Sequence, residues 1–382
     1  MATDKDNRFC SGENLAVMQK GSNIISKITE LSRRGLDSMY DQRTHLFCYR
    51  VKRKENGLEN EGISRRYTII SLLGLHKYEI RGGVTRIDIK NSICSLMKDI
   101  DKIDNIGDLG LLLWLLAVAS PEHVKVILEG NKLGNCFIRY PDARVAKTVE
   151  MAWFLTGLSH IRLAGIAGDE GLESIAKQTY LVLRKNYGGR GIFGHMSKYS
   201  LAGRFRGRIG CFADQVYPIY AFSKFGQAFD MKEAVEIAKK CGQTMCELQG
   251  PMGQWWWHYD AITGRVIGRY PVYSVHQDGM APMALFALSS ATGSDFTGPV
   301  LKGLEWITGQ NELRTNMVDS SQHVIWRSIR RPGYKMRLEE AQSLLGMRSR
   351  RMEPEDLSVL YECRPYHLGW LLYAFAGGDK VR

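Results

Sequence analysis

Two short patterns recur at nearly one interval in the middle of the chain, and a repeat of that length restricts the fold more than any other feature. Gly191-Ile-Phe193 and Gly253-Gln-Trp255 share a Gly-x-aromatic pattern 62 residues apart, each just after an amphipathic helical stretch. About twenty residues further on, Asp214-Gln-Val-Tyr-Pro218 and Asp278-Gly-Met-Ala-Pro282 both read Asp-x-x-x-Pro at the head of an apolar helix, 64 residues apart. Glycine suits the positive φ at a helix C-terminus. Aspartate suits the next N-terminus, where it caps amides and meets the positive end of the dipole. Helix, Gly-rich turn, long loop and helix make a helical hairpin, and hairpins of this period stack side by side until a ring closes. In 382 residues six such units fit.

Hydrophobic spacing agrees with that reading. Val149, Trp153, Phe154 and Leu158 fall at helical intervals, as do Ala234, Ile237, Ala238 and Cys241. Helices are expected over 14–36, 67–75, 87–99, 109–119, 121–128, 143–164, 170–187, 213–225 and 232–248. Four more are expected over 282–290, 298–308, 339–345 and 354–376. Strand-like alternation is confined to Val266–Tyr273, so the fold class is all-α. Residues 1–62 read as an N-terminal helix and a polar surface loop (52–62) packed on a toroid domain of residues 63–382.

Composition narrows the partners. Apolar residues make up 44% and charged residues 24%, ordinary values for a globular chain. Against 40 acids stand 52 Lys and Arg, a net charge of +12 that suits an anionic partner such as a uronate, a diphosphate or an acidic membrane surface. Arg is dense over 184–208 and 327–351. No zinc finger, basic zipper or RNA-recognition motif appears, so specific nucleic-acid reading is not expected. The longest apolar run, 109–119, is too short to span a bilayer, and the polar start has no signal-peptide core. A cytoplasmic protein is expected, with peripheral membrane contact left open. The eight cysteines show no CxxC spacing and read as reduced thiols, and no metal or cofactor is expected.

Gln249-Gly-Pro-Met-Gly-Gln-Trp255 resembles the Gln-x(2–5)-Gly-x-Trp motif of terpenoid cyclases, members of the (α/α) toroid superfamily. The Asp-headed helices and Gly303–Leu313 are similar to toroids of the six-hairpin glycosidase type. The resemblance implies an (α/α)6 toroid with a central cleft. The Asp-x-Asp-Asp acid of class II cyclases and the Asp-Asp-x-x-Asp metal motif of class I cyclases are both absent.

The segment Gln254–Asp260 followed by Arg269–Asp278 crowds chemistry into 25 residues. Trp255, Trp256 and Trp257 offer stacking faces for sugar rings or isoprenoid chains, and the same rings equally suit packing at a hairpin end. His258, Asp260, Arg269 and Gln277 add polar contacts. Asp278, with Asp214 one unit earlier, supplies the two carboxylates that glycoside hydrolysis requires, although both also suit helix caps. His276 with Tyr270 or Tyr273 fits proton abstraction from a uronate, whose carboxylate Gln277, Arg269 or Asn311 would neutralise. Glu312, Trp326 and Arg327 complete the expected binding set, with Arg327 part of an anionic clamp. Three functions stand side by side: a glycoside hydrolase or lyase acting on an anionic saccharide, a terpenoid cyclase or other enzyme using prenyl diphosphates, and a non-catalytic toroid scaffold. Oligomeric state is left open.

Overall fold

The computed structural model describes residues 6–129, 146–166, 170–197, 203, 207–331 and 356–377. Among them run twelve α-helices. They are α1 (Asp6–Met39), α2 (Arg65–Glu79), α3 (Ile89–Met97), α4 (Ile106–Ala119), α5 (Pro121–Glu129), α6 (Thr148–Leu163), α7 (Glu170–Arg184), α8 (Ala213–Phe229), α9 (Lys232–Glu247), α10 (Ala281–Thr292), α11 (Thr297–Ile307) and α12 (Pro365–Phe375).

The helices fall into two kinds. α4 is apolar on all sides and almost wholly buried, which suits a helix enclosed by other helices. α9 buries one side (Ala234, Ala238, Cys241, Gly242, Thr244, Met245), and its other residues are half-buried or exposed. The kinds alternate along the chain. Each even-numbered helix packs on the next even-numbered one, α2 on α4, α6, α8, α10 and α12, and α12 returns to α2. The odd-numbered helices lie outside, α3 on α2, α5 on α4, α7 on α6, α9 on α8, α11 on α10, and α1 on α12. The protein is therefore an (α/α)6 toroid, as the repeat predicts.

Its axis is filled. Trp114 of α4 stacks on His160 of α6 (5.0 Å between ring centres) and packs against Tyr220 of α8 (4.8 Å) and Trp370 of α12 (5.5 Å). Where α12 closes the ring, backbones come very near: a Cβ built on Gly74 would lie 2.1 Å from the Gly369 carbonyl oxygen.

The repeat has a physical clamp. Phe193 N–H donates to Gln215 Oε1 (2.8 Å), and that side chain's Nε2 donates to the Cys211 carbonyl (3.1 Å). One unit on, Trp255 N–H donates to Gln277 Oε1 (3.3 Å), and Gln277 Nε2 donates to the Tyr273 carbonyl (3.1 Å). Each inner helix thus holds the preceding Gly-x-aromatic turn by a buried glutamine, and all three partners recur at 62. Gly191 and Gly253 both take positive φ there, at 76° and 90°.

Several expectations change. Residues 52–62 form no loose loop; they belong to a hairpin of β2 (Leu46–Lys54) and β3 (Gly57–Ile63), with β1 (Tyr40–Asp41) on β2. Strands also occupy the front of the expected helix 354–376: β11 (Ser358–Leu360) and β12 (Glu362–Cys363), the latter pairing with β2. The remaining strands are β4 (Ile209–Cys211), β5 (His258–Asp260), β6 (Arg265–Gly268), β7 (Val272–Tyr273), β8 (Val318–Asp319), β9 (Val324–Ile325) and β10 (Ser328–Arg330), all in connections between helices. The helix expected over 339–345 lies outside the described residues, as do Arg204, Arg206, Arg337, Arg348, Arg350 and Arg351.

The ring closure predicts a contrast between two glycines. Gly369→Ala should lower stability by about 1–3 kcal/mol, the range for overpacking, because its Cβ would meet Ser71 and Ile70 backbone at 2.7–2.8 Å. Gly298→Ala in α11, where a Cβ meets nothing within 4 Å, should be neutral or slightly stabilising. Thermal melts of the two variants check this.

Candidate active site

One cleft of about 210 Å³ opens at the end of the ring where the inner helices begin. Its wall takes Arg66, Tyr67 and Ile70 from α2, Val149 and Trp153 from α6, Ala213 and Tyr217 from α8, and Tyr366 from α12. His276 and Met280 come from a single π turn, His276–Met280, that leads into α10. Trp257, Tyr273 and Arg327 reach in from the connections. The filled axis closes the floor. Helix N-termini carry partial positive charge, so the mouth favours an anion before any side chain is counted.

Two guanidiniums strengthen that field. Arg66 lies over the Trp153 ring (5.3 Å) and donates through Nη2 to Asp108 Oδ2 (3.0 Å) in the first turn of α4. Arg327 lies over the Tyr273 ring (5.0 Å), 3.4 Å from Oε1 of Glu362. The described wall itself contains no carboxylate.

Two buried polar atoms of the wall lack partners: Trp153 Nε1 and His276 Nδ1. The His276 ring lies flat on Phe212 (4.3 Å) and parallel to Trp257 (6.0 Å, 9°). Burial first, then the Arg327 charge, pushes its pKa well below the ordinary 6.5, against a hydrogen bond to the Trp255 carbonyl. The ring is therefore neutral at neutral pH, and its Nε2–H tautomer leaves a lone pair on Nδ1.

Tyr366 is the complementary group. Burial raises its pKa above 10 despite Arg327 and Arg364 alongside, so its hydroxyl stays protonated.

Of the residues singled out from sequence, Trp257, Tyr273, His276 and Arg327 meet in the cleft. The expected pairing of Asp214 and Asp278 across a cavity does not occur. Asp214 Oδ2 accepts from His195 Nδ1 (3.1 Å) and from the Cys211 amide (2.8 Å). Asp278 is fully buried, and both its oxygens accept from His367 Nε2 (2.8 and 2.9 Å). Nor are the two aspartates equivalent. The clamp repeats at 62, which matches Asp214 with His276 and His195 with Trp257; the Asp spacing of 64 places Asp278 inside the π turn.

The others serve the frame. Glu312 accepts from Tyr270 (2.7 Å), Trp306 Nε1 (2.9 Å) and Gln254 (3.1 Å), tying three segments together. Asn311 bonds the Trp306 and Thr315 carbonyls, Gln277 is the clamp, and Asp260 pairs with Arg208 and caps Ile262. Trp255 is buried under the clamp, Arg269 lies over Trp256 (5.5 Å), and His258 sits in β5. Trp326 is buried edge-on to Tyr361. Sequence reading missed Arg66, Tyr67, Trp153, Tyr217 and Tyr366 as site residues; Tyr217 stands inside the Asp214–Pro218 motif and Trp153 in the apolar spacing, and the other three stand in no marked motif.

No protein-family model matches the chain, and no curated protein matches it in sequence. Solved structures do match over nearly its whole length. An unsaturated glucuronyl hydrolase responsible for glycosaminoglycan degradation, from Bacillus sp. GL1, is 14% identical with a TM-score of 0.55, covering 92% of this chain and 94% of that one. A glycosyl hydrolase family 88 protein from Bacteroides vulgatus is 10% identical with a TM-score of 0.59, covering 93% and 98%. A sugar epimerase from a ruminal bacterium is 10% identical with a TM-score of 0.58, covering 94% and 98%. At these identities the likeness is one of fold. It shows that this chain shares the (α/α)6 toroid fold of those proteins.

The Asp278–His367 pair has a pH signature. Burial disfavours charge on both groups and raises the Asp278 carboxyl, but at His367 Asp278 and then Cys363 together outweigh burial and lift that imidazole to about 9. A raised histidine stabilises fully below its unfolded value, about 6.5, and that stabilisation is lost as pH rises through about 9. Wild-type stability measured by denaturant unfolding should fall across this window. Asp278→Asn should be less stable at pH 6.5 and should show a shallower fall.

Proposed function

We propose that the protein is a carbohydrate-active enzyme that holds a uronate-bearing saccharide in this cleft and removes the proton α to its carboxylate. The observation that carries the reading is a wall with two guanidiniums, six aromatic side chains, a neutral histidine with a free Nδ1 and no described carboxylate. Aromatic faces stack on the apolar faces of a sugar ring, and the unpartnered Trp153 indole can donate to a hydroxyl. An isoprenoid chain would leave Trp153 Nε1 and His276 Nδ1 unsatisfied in a dry site, which costs about 1–3 kcal/mol each. That weighs against the cyclase alternative.

In the proposed reaction Arg327 and Arg66 bind the carboxylate and stabilise the charge that develops on it as the α C–H bond breaks. His276 Nδ1 takes that proton. The electron pair forms a carbon–carbon double bond as the glycosidic C–O bond at the β position breaks, and Tyr366 gives its proton to the departing oxygen. Water then returns the two residues to their starting states.

A second reading is hydrolysis. Asp108 and Glu150 stand in the first turns of α4 and α6, Asp108 bonded to Arg66, and several fold neighbours are described as unsaturated glucuronyl hydrolases. Two carboxylates are what that chemistry needs.

Incubation with uronate oligosaccharides should yield a product with the ultraviolet absorbance of a conjugated unsaturated uronate. His276→Gln should lower kcat by about 10²–10⁴-fold with little change in KM. Arg327→Met should raise KM. Because His276 is held neutral, kcat/KM should stay level from about pH 8 to about pH 6, where an ordinary histidine of pKa about 6.5 would lose its lone pair. New reducing ends without the chromophore would transfer the assignment to hydrolysis.

A further inference from the structure

The cleft wall continues outward along one side. Tyr366 packs against Tyr67 (4.6 Å), and Tyr67 stacks on Tyr49 of β2 (5.5 Å, 13°). Arg364 lies across this ladder, donating to the Tyr67 hydroxyl (2.7 Å) with its guanidinium 4.6 Å from the Tyr49 ring. Glu362, with a side chain only 4% exposed, is shared by Arg364 (2.6 Å), Arg327 (3.4 Å) and Arg50 (3.4 Å). Glu362 thus orients Arg364 and Arg327, while Arg50 is held more closely by Glu61 (2.6 Å), so three guanidiniums face two carboxylates beside the mouth.

Further along the same hairpin, Arg53 lies over the rings of Tyr361 (4.9 Å) and Trp326 (5.5 Å), and its amide donates to the Tyr361 carbonyl (3.2 Å). Among described residues no carboxylate comes within ion-pair reach of Arg53. Tyr49 and Tyr361, 39% and 41% exposed, are the only aromatic side chains among the described ones that stand so far into solvent. Both lie here, each held by an arginine. Exposed aromatic surface in a cationic frame marks a place where a ligand covers it.

We propose that this face of the β2–β3 hairpin is a second saccharide subsite, which carries outer units of an acidic oligosaccharide whose uronate end occupies the cleft. The inference rests on the cleft reading above and adds that the substrate is a chain with anionic groups on successive units. Tyr49 and Tyr361 present stacking faces, Arg53 meets carboxylate or sulfate groups, and Arg364, held by Glu362 and Tyr67, keeps the Tyr49 ring in place and adds positive charge. Continuity with the cleft through Tyr67 and Tyr366 favours a glycan over a single-stranded nucleic acid, which aromatic–arginine surfaces can also hold.

Calorimetric titration with uronate oligosaccharides of increasing length, from the disaccharide upward, tests the inference. Wild-type affinity should rise with length by about tenfold or more and then level off. Arg53→Gln and Tyr361→Ala, both at the surface, should lose most of that gain while binding the disaccharide as before and melting like wild type. Binding of the disaccharide with no gain from length overturns the second subsite and leaves the cleft reading intact. Equal weakening of short and long ligands by the variants also overturns it, as does tighter binding of a single-stranded homopolymer DNA than of any oligosaccharide. Failure to bind any uronate overturns the cleft reading and this one with it.

Discussion

A ring of helices has an inside, and that inside must be filled. Six inner helices cannot leave a dry shaft along their common axis without losing the dispersion contacts that hold them together. Here the shaft is taken up by Trp114, Trp370, Tyr220 and His160. Among the described residues, a cleft opens at the mouth where the inner helices begin. Large rings at the axis set the ring diameter, while glycines such as Gly74 and Gly369 let α2 and α12 close at backbone distance. The position of the cleft, its depth and its electrostatic sign all follow from that packing.

Electrostatics at the mouth then depends on how few carboxylates are free. Asp108 is engaged with Arg66, Glu362 is shared by three arginines, and Asp214 and Asp278 face histidines. What remains in the wall is positive or neutral. The groups able to move a proton there are an imidazole kept neutral by burial and a phenol kept protonated by burial. Their pKa values are displaced in opposite directions from neutrality, the separation that the proposed base and acid require.

Much of the fold was legible because it is written locally. The Gly-x-aromatic turns and the glutamine clamps recur at 62, and the apolar spacing marks nearly every described helix. The aspartates misled because Asp-x-x-x-Pro resembles a repeat while its interval is 64; the π turn at 276–280 puts Asp278 two positions past the site equivalent to Asp214. Half of the cleft was hidden for a different reason. Arg66 and Tyr67 meet Tyr366 only because the ring closes, across some 300 residues of chain, and no local pattern records such a meeting. The 52–62 hairpin was obscured by its charged, Gly-punctuated composition, which reads as loop when its pairing partner in β12 is out of view.

The closure of the ring also bears on the order in which this protein comes into being. α1 is the outer partner of α12, so an early helix of the ring waits for one made some 300 residues later. Until residues 364–375 emerge, the preceding helices form an open arc with unburied faces at both ends. Arg364 and Tyr366 are missing from the mouth through that whole interval. The cleft therefore comes into existence only when residues 364–375 join the ring rather than by degrees, and a chain lacking them would carry the repeat without the whole wall.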